Sequence, residues 1–259
     1  MSDEWERLMD RFSVENVKSY LMDKKSERVT MLLMERLRED AALDRDCGDN
    51  DRATVPQIPV SDNFEVVMNA AVAYMTWSVL KDPEQHPLSP LTLLKDSVCK
   101  EGMTAGKLST PVFADAVRMM RGWRFGQHFI KNYTLDVPDS ADQERVLNFT
   151  SEGDIRPIIA NYIRLGQREK VLLPRTYRTV VAMIRSEAQD ILFLTNSKAE
   201  ALAAHSAGLT VMLVRRLGQA IPAYDNSPEV TSNKQNFPSV SSFDQIAFIS
   251  DPNRPTPCC

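Results

Sequence analysis

Three polar residues, Thr195, Asn196 and Ser197, follow directly on the apolar run Ile191–Leu194. A short unbroken apolar run is typical of a buried strand, and parallel α/β sheets bind their ligands at the carboxyl ends of the strands. The hydroxyl and amide groups of these residues are therefore expected at a ligand-binding edge. Glu200 adds one carboxylate nearby.

The other residue types that could do chemistry lack the required spacing. The histidines are far apart in the sequence: His86, His128 and His205. The cysteines show neither metal-ligand spacing nor a disulfide framework: Cys47, Cys99, Cys258 and Cys259. The terminal Cys258-Cys259 pair is typical of prenylation signals, but that interpretation requires a GTPase fold. Ser140 and Ser206 stand outside a G-x-S-x-G context, and the nine glycines form no phosphate-binding loop.

The stretch Asp190–Arg216, which contains Asn196, predicts one βαβ unit. Alanine and leucine residues recur at i, i+3 and i+4 after Lys198, which predicts a helix. Gly208 stands where a left-handed C-cap belongs, and the β-branched run Thr210–Val214 predicts a second strand. Strand, helix and strand in this order predict a parallel sheet.

The rest of the chain predicts a helical N-terminal part followed by an α/β part. The expected helices are Glu4–Asp40, Phe64–Leu80, one that follows the turn Lys81–Pro90 and runs to about Glu101, Pro111 to about Trp123, and Pro174–Ala188, with a linker at Ala42–Asp62. A strand is expected at Phe129–Val137, and Ile155–Ile163 should contain a helix-to-strand transition that ends at Gly166. We therefore divide the chain into a mainly helical, cap-like region at 1–122, a Rossmann-like core at 123–218 and a partly disordered tail at 219–259. A short helix near Ser242–Phe248 is expected to dock.

Composition indicates a soluble globular protein. The 259 residues are 43% hydrophobic and 25% charged, which is usual for such proteins and enough for one sizeable core with a subdomain. The formal net charge of −4 gives no general attraction to nucleic acid or anionic membranes. An acidic N-terminus and the lack of a long apolar run favour neither a signal sequence nor a membrane span. We expect a cytoplasmic protein without nucleic-acid or membrane partners.

Several segments in the same order resemble the enolase-phosphatase (acireductone synthase) branch of the haloacid dehalogenase-like superfamily. They are ENVKSYL (Glu15–Leu21), GMTAGKL (Gly102–Leu108), TSEGDI (Thr150–Ile155), TYRTVVAMI, and LTNSKAEALAA followed by GLTVMLVRRLG. The resemblance spans most of Val14–Gly218. It implies an α/β fold with a parallel sheet and a helical cap, and an ancestral Mg²⁺-dependent phosphatase of methionine salvage.

The resemblance also implies which residues stand at the ancestral site. Asn196 takes the place of a metal-binding aspartate, Glu200 aligns with a nearby acidic position, and Lys170 stands near the lysine that neutralises the phosphoryl group. At the phosphate-binding turn, only Ser140 matches, because Val137 has no hydroxyl and the intervening proline has no N–H to donate. These residues are interpreted as vestiges, with Ser140 and Lys170 as the remaining substrate-binding candidates.

The chemistry of the family also requires an aspartate nucleophile in a first strand of the form DxEGTT. The segment before Glu15, MSDEWERLMDRFSV, contains neither that motif nor an apolar strand. We therefore predict a fold without its first strand, no intact catalytic residue, no metal site and no required cofactor. A truncated gene model is an alternative explanation for the absent strand, although it would not account for Val137 or Asn196.

Two functions follow from these observations. The first is a degenerate enolase-phosphatase homologue without phosphatase activity, acting as a binding or regulatory protein whose partner is another protein, with an active paralogue among the candidates. The second is a Mg²⁺-dependent enolase-phosphatase or related phosphatase. If the first strand is absent, an open slot would leave backbone groups unpaired, so we predict direct pairing between Phe129–Val137 and Ile191–Thr195.

Overall fold

In a computed structural model, the described residues are 2–47, 54–81, 89–126, 130–136, 143–165, 168–219 and 221–248. They form two compact units, Met1–Thr110 and Pro111–Cys259. The division places residues 111–122 with the α/β unit, whereas the sequence-based boundary lay at 122/123. Among the described helices, none is long and apolar enough to cross a membrane.

The first unit consists of four helices. They are α1 (Ser2–Asp23), α2 (Arg28–Cys47), α3 (Phe64–Lys81) and α4 (Pro90–Thr104). Their shared core is made by side chains with almost no exposed surface, among them Val17, Leu21, Leu37, Met68, Met75 and Leu94. A half-buried ion pair between Lys95 and Asp10 joins α4 to α1.

Helix α2 is longer than the sequence suggested. We expected a linker from Ala42, but the helix continues to Cys47. Ala41 is fully buried in the core, and the Tyr74 hydroxyl donates a hydrogen bond to Asp44 at 2.7 Å. These contacts with α3 hold the last turns in helical form although their composition is polar.

The second unit combines parallel strands with helices. Its elements are α5 (Ala114–Phe125), β1 (Asn132–Asp136), α6 (Gln143–Asn148), β2 (Ile159–Arg164), α7 (Pro174–Ile184), β3 (Leu192–Thr195), α8 (Lys198–Ser206), β4 (Thr210–Val214), α9 (Pro228–Ser232) and β5 (Ser239–Val240). Helix α5 begins at Ala114 rather than Pro111, and the Val112 N–H before it is bonded to Ser151 Oγ at 3.2 Å. Helix α7 stops at Ile184, before the predicted end, where Arg185 adopts a left-handed conformation.

The strands form two parallel sheets. One contains β1 and β2, and the other has the order β3-β4-β5. The expected ladder between Phe129–Val137 and Ile191–Thr195 is wrong for the described residues, because β1 pairs with β2 and β3 pairs with β4. Leu135 of β1 instead packs its side chain against the apolar cluster around Tyr177, Ala201 and Val211. Side-chain packing takes the place that we had assigned to backbone pairing.

Residues 221–248 belong to the second unit. β5 adds to β4 in parallel, and the 3₁₀ turn Phe243–Gln245 lies against α5, where Phe243 stacks on Trp123 with ring centroids 5.6 Å apart. Arg118 on α5 binds Asp244 through two contacts of 2.6 and 2.7 Å. The docking expected for this segment is thus observed, as a 3₁₀ turn rather than a longer helix.

Candidate functional site

Thr195 is the last residue of β3, and Asn196 and Ser197 follow it. β3 and β4 run parallel, with Thr195 opposite Leu213, and α8 begins three residues after the strand ends. Gly208, with φ +92°, ends the α8 connection in a left-handed conformation that glycine adopts without steric cost. Thr195 and Ser197 are buried, and Asn196 between them is half-buried. The three residues therefore lie at the carboxyl edge of the sheet.

Both carboxylate oxygens of Glu200 are engaged. Thr195 Oγ1 donates to one oxygen at 2.6 Å, and the Tyr224 hydroxyl donates to the other at 2.6 Å. Thr195 also accepts the Ser197 N–H at 3.1 Å. The sequence Ser197-x-x-Glu200 has the form of a capping box, but the glutamate turns to Thr195 and Tyr224 instead of the Ser197 N–H.

Asp225 closes the N-terminus of α8. Its carboxylate accepts the Ser197 hydroxyl at 2.7 Å, the Lys198 N–H at 2.6 Å and the Ala199 N–H at 2.9 Å. Ser197 in turn accepts the Glu200 N–H. The first amides of a helix lack partners within it and favour negative charge. Through these bonds, Asp225 occupies the place where a helix N-terminus would otherwise receive an anion. Its side chain is only 6% exposed.

The charge of Glu200 acts on two tyrosines, Tyr224 and Tyr177. Burial, followed by the hydrogen bond to Glu200, raises the pKa of Tyr224 well above its usual value. Burial and the negative charge of Glu200 also raise the pKa of Tyr177. The Tyr177 hydroxyl donates to the Val171 carbonyl at 2.8 Å. Both phenols therefore stay protonated and act as hydrogen-bond donors in this cluster.

The remaining candidates are placed differently. Lys170 is half-buried in the 3₁₀ turn Arg168–Leu172, which packs against α8 and is fixed through the Tyr177–Val171 bond. The structure thus places Lys170 in an element next to α8. Ser140, with the whole Val137 turn, lies outside the described residues. His205 sits on α8 with its ring edge against Phe237.

These residues do not fit a magnesium ion. Mg²⁺ requires several hard oxygen ligands in near-octahedral geometry. Both oxygens of Glu200 and both of Asp225 already accept hydrogen bonds, and Asn196 contributes no charge. Within the part of the chain that the structure describes, no group of three His, Cys, Asp or Glu side chains could hold a metal ion.

Sequence reasoning missed Tyr224 and Asp225. They lie in a Pro- and Asn-containing stretch that was interpreted as tail, 24 and 28 residues beyond the groups that they bind. No periodic pattern links them to α8. The one available signal is the capping sequence Ser197-x-x-Glu200, which marks a helix N-terminus but does not identify a distant acceptor.

Comparison with known proteins gives a consistent group of relatives. No protein-family model matches the chain. Enolase-phosphatase E1 of Xenopus tropicalis is 28% identical over 237 residues, covering 91% of this chain and 85% of that protein. The protein of the same name from Anopheles gambiae is 26% identical over 243 residues, covering 93% and 76%. The one from Culex quinquefasciatus is 27% identical over 222 residues, and the chain spans only 29% of its length.

A solved structure shows the same fold. The UTR4 protein of Saccharomyces cerevisiae superposes with a TM-score of 0.54 at 18% identity, covering 87% of this chain and 93% of that one. This likeness supports the predicted haloacid dehalogenase-like α/β fold, with parallel strands and helices around them. In sequence, the chain is similar to the enolase-phosphatases.

Proposed function

We propose that this chain is an enolase-phosphatase homologue without phosphatase activity that acts as a binding or regulatory protein. The observation that supports this most strongly is the state of Glu200. Its two oxygens accept hydrogen bonds from Thr195 and Tyr224, beside the neutral amide of Asn196. The end of β3 is thus a closed hydrogen-bonded cluster.

The chemistry of phosphoryl transfer explains why this matters. Metal ions in such enzymes bridge the reacting phosphate and neutralise the charge that develops in the transition state. Replacing a metal-binding aspartate by Asn196 removes one negative charge from the ligand set. Asp225 does not compensate, since it caps α8. We therefore expect that the chain needs no Mg²⁺ to fold or to act.

The proposal includes a cytoplasmic location and a protein partner, with an active paralogue among the candidates. The net charge of −4 supports neither nucleic acid nor an anionic membrane surface as the partner. The similarity to enolase-phosphatases suggests that any regulatory effect falls on methionine salvage, where acireductone is made.

The second candidate is a Mg²⁺-dependent enolase-phosphatase of L-methionine salvage. The names of the relatives, together with 85% coverage of the Xenopus tropicalis protein, favour it. It would require Glu200 to coordinate the metal through lone pairs that Thr195 and Tyr224 leave free, or to leave one of these partners, and a nucleophile that we have not identified.

Phosphate release from a diketo-methylthiopentyl phosphate, measured with and without Mg²⁺, separates the two candidates. The Xenopus tropicalis relative serves as the active control. We expect no release above a no-protein control from this chain. Mg²⁺-dependent turnover that persists on purification and falls in Asn196→Ala would instead establish the phosphatase, because a contaminating enzyme would not respond to that substitution.

A further inference from the structure

Helix α2 presents a stripe of exposed residues, most of them apolar, on the face turned away from its own core. The buried face holds Leu33, Met34, Leu37 and Ala41. On the opposite face, Val29, Leu32 and Leu43 are 74%, 50% and 59% exposed. A soluble helix usually keeps its solvent face polar, so these exposed side chains need an explanation.

The stripe has the spacing of a coiled-coil seam. Its members are Val29, Leu32, Arg36, Glu39 and Leu43, which follow one another at alternating steps of three and four residues. This is the a/d spacing of helices that pack along their length, here with charged residues at the two central positions. Arg36 and Glu39, in the middle of the seam, are both exposed.

Charge is divided between the two halves of the helix. The first half, 28–37, holds Arg28, Glu35 and Arg36 and has a net charge of +1, whereas the second half, 38–47, holds two arginines and four acidic residues and has a net charge of −2. Burial, and after it the charges of Asp44 and Glu39, raise the pKa of Asp40, against the opposing effect of Arg36. In the described part of the chain, neither Arg36 nor Glu39 forms a salt bridge. The surface is therefore complementary to itself when one copy is reversed.

We propose that α2 is a self-association surface, on which α2 of a second copy docks antiparallel. In this register Leu32 lies against the partner's Leu43, and Arg36 lies against the partner's Glu39. Two-fold symmetry repeats each contact, giving two central ion pairs flanked by two leucine layers. A parallel arrangement would place Arg36 beside its own copy and is disfavoured.

The two kinds of contact have different roles. Exposed ion pairs contribute little affinity, so Leu32 and Leu43 provide most of the attraction. Arg36 and Glu39 select the orientation, because like charges placed opposite one another are strongly unfavourable. A single helix face is a small interface, and the dimer should be weak and dependent on concentration. This inference does not depend on whether the chain is a phosphatase.

Sedimentation equilibrium of the full chain over a wide concentration range tests the proposal. We expect a monomer–dimer equilibrium for the wild type. Leu32→Glu should shift it to monomer, whereas Leu93→Glu, at a leucine on α4 that is 41% exposed, should leave it unchanged. Thermal melts followed by circular dichroism confirm that both variants are folded.

Charge reversal gives the sharper test of the register. Arg36→Glu and Glu39→Arg should each weaken the dimer by roughly tenfold or more, as like charges then face each other. Mixing the two single variants should restore association as a heterodimer, and the double variant should also dimerise. A monomeric wild type, or a dimer unaffected by Leu32→Glu and both reversals, would overturn the proposal.

Discussion

The Tyr224 hydroxyl donates a hydrogen bond to Glu200 at 2.6 Å, and the two residues are 24 positions apart in the chain. Thr195 holds the other oxygen of the same carboxylate. The bond joins the first turn of α8 to the 3₁₀ turn Ala223–Asn226, and the neighbouring Asp225 caps the helix from that turn. The acid that could have served a metal is therefore part of the internal structure of the second unit.

Tyr224→Phe should lower the free energy of unfolding by about 1–2 kcal/mol, since it removes a donor from a half-buried carboxylate. Urea denaturation followed by circular dichroism measures the change. Tyr133→Phe is the matched control, because Tyr133 is also half-buried and its hydroxyl makes no hydrogen bond among the described residues. Equal stability of the two variants would show that the Tyr224 bond is unimportant.

Asp225→Asn should cost about 2 kcal/mol of stability. The substitution removes the charge that complements the N-terminus of α8 and weakens three hydrogen bonds to it. Asp62→Asn, at an exposed aspartate, should change little. Hydrogen exchange of the first α8 amides should increase in Asp225→Asn and not in the control. Unchanged exchange at Lys198 and Ala199 would argue against the capping role.

Acid should weaken the attachment of the C-terminal segment. Arg216 binds Asp115 through two contacts of 2.9 and 2.7 Å, and the Phe243 N–H and Ser242 hydroxyl donate to the same carboxylate. Chiefly through the Arg216 hydrogen bonds, the pKa of Asp115 lies below its ordinary value of 3.8. A lowered pKa stabilises the fold above about pH 4, and this contribution is lost as the pH falls toward the folded-state value.

The wild type should therefore exceed Asp115→Asn in stability by a constant amount near neutral pH, and the gap should shrink below about pH 4. Chemical denaturation at several pH values measures it. Asp62→Asn should show a gap close to zero throughout. A gap between wild type and Asp115→Asn that widens on acidification would contradict the sign of the pKa shift.

The βαβ unit around Asn196 was predictable, because apolar runs, an Ala-rich helical face and a glycine at a left-handed position are all local signals. β3, α8 and β4 were expected from Ile191–Leu194, Lys198–Ala207 and Thr210–Val214, within a residue or two of their observed ends. The placement of Asn196 at the strand end followed from the rule for parallel sheets.

Long-range contacts were not predictable in the same way. Asp225 reaches α8 from a stretch without periodicity, and the length of α2 depends on Tyr74 and Ala41 rather than on its own polar last turns. The expected pairing of β1 with β3 failed for a related reason. Whether two strands form a ladder or meet through side chains such as Leu135 depends on tertiary packing, which a local pattern does not encode.

Direct titration of Mg²⁺ into the purified chain, followed by calorimetry and by the shift in melting temperature, tests the central claim that the β3 edge is not a metal site. A ligand that binds the native state must raise its melting temperature. We predict neither binding heat nor a shift for this chain, with the Xenopus tropicalis relative as the reference enzyme. Saturable Mg²⁺ binding that stabilises the wild type and is lost in Asn196→Ala would contradict the account.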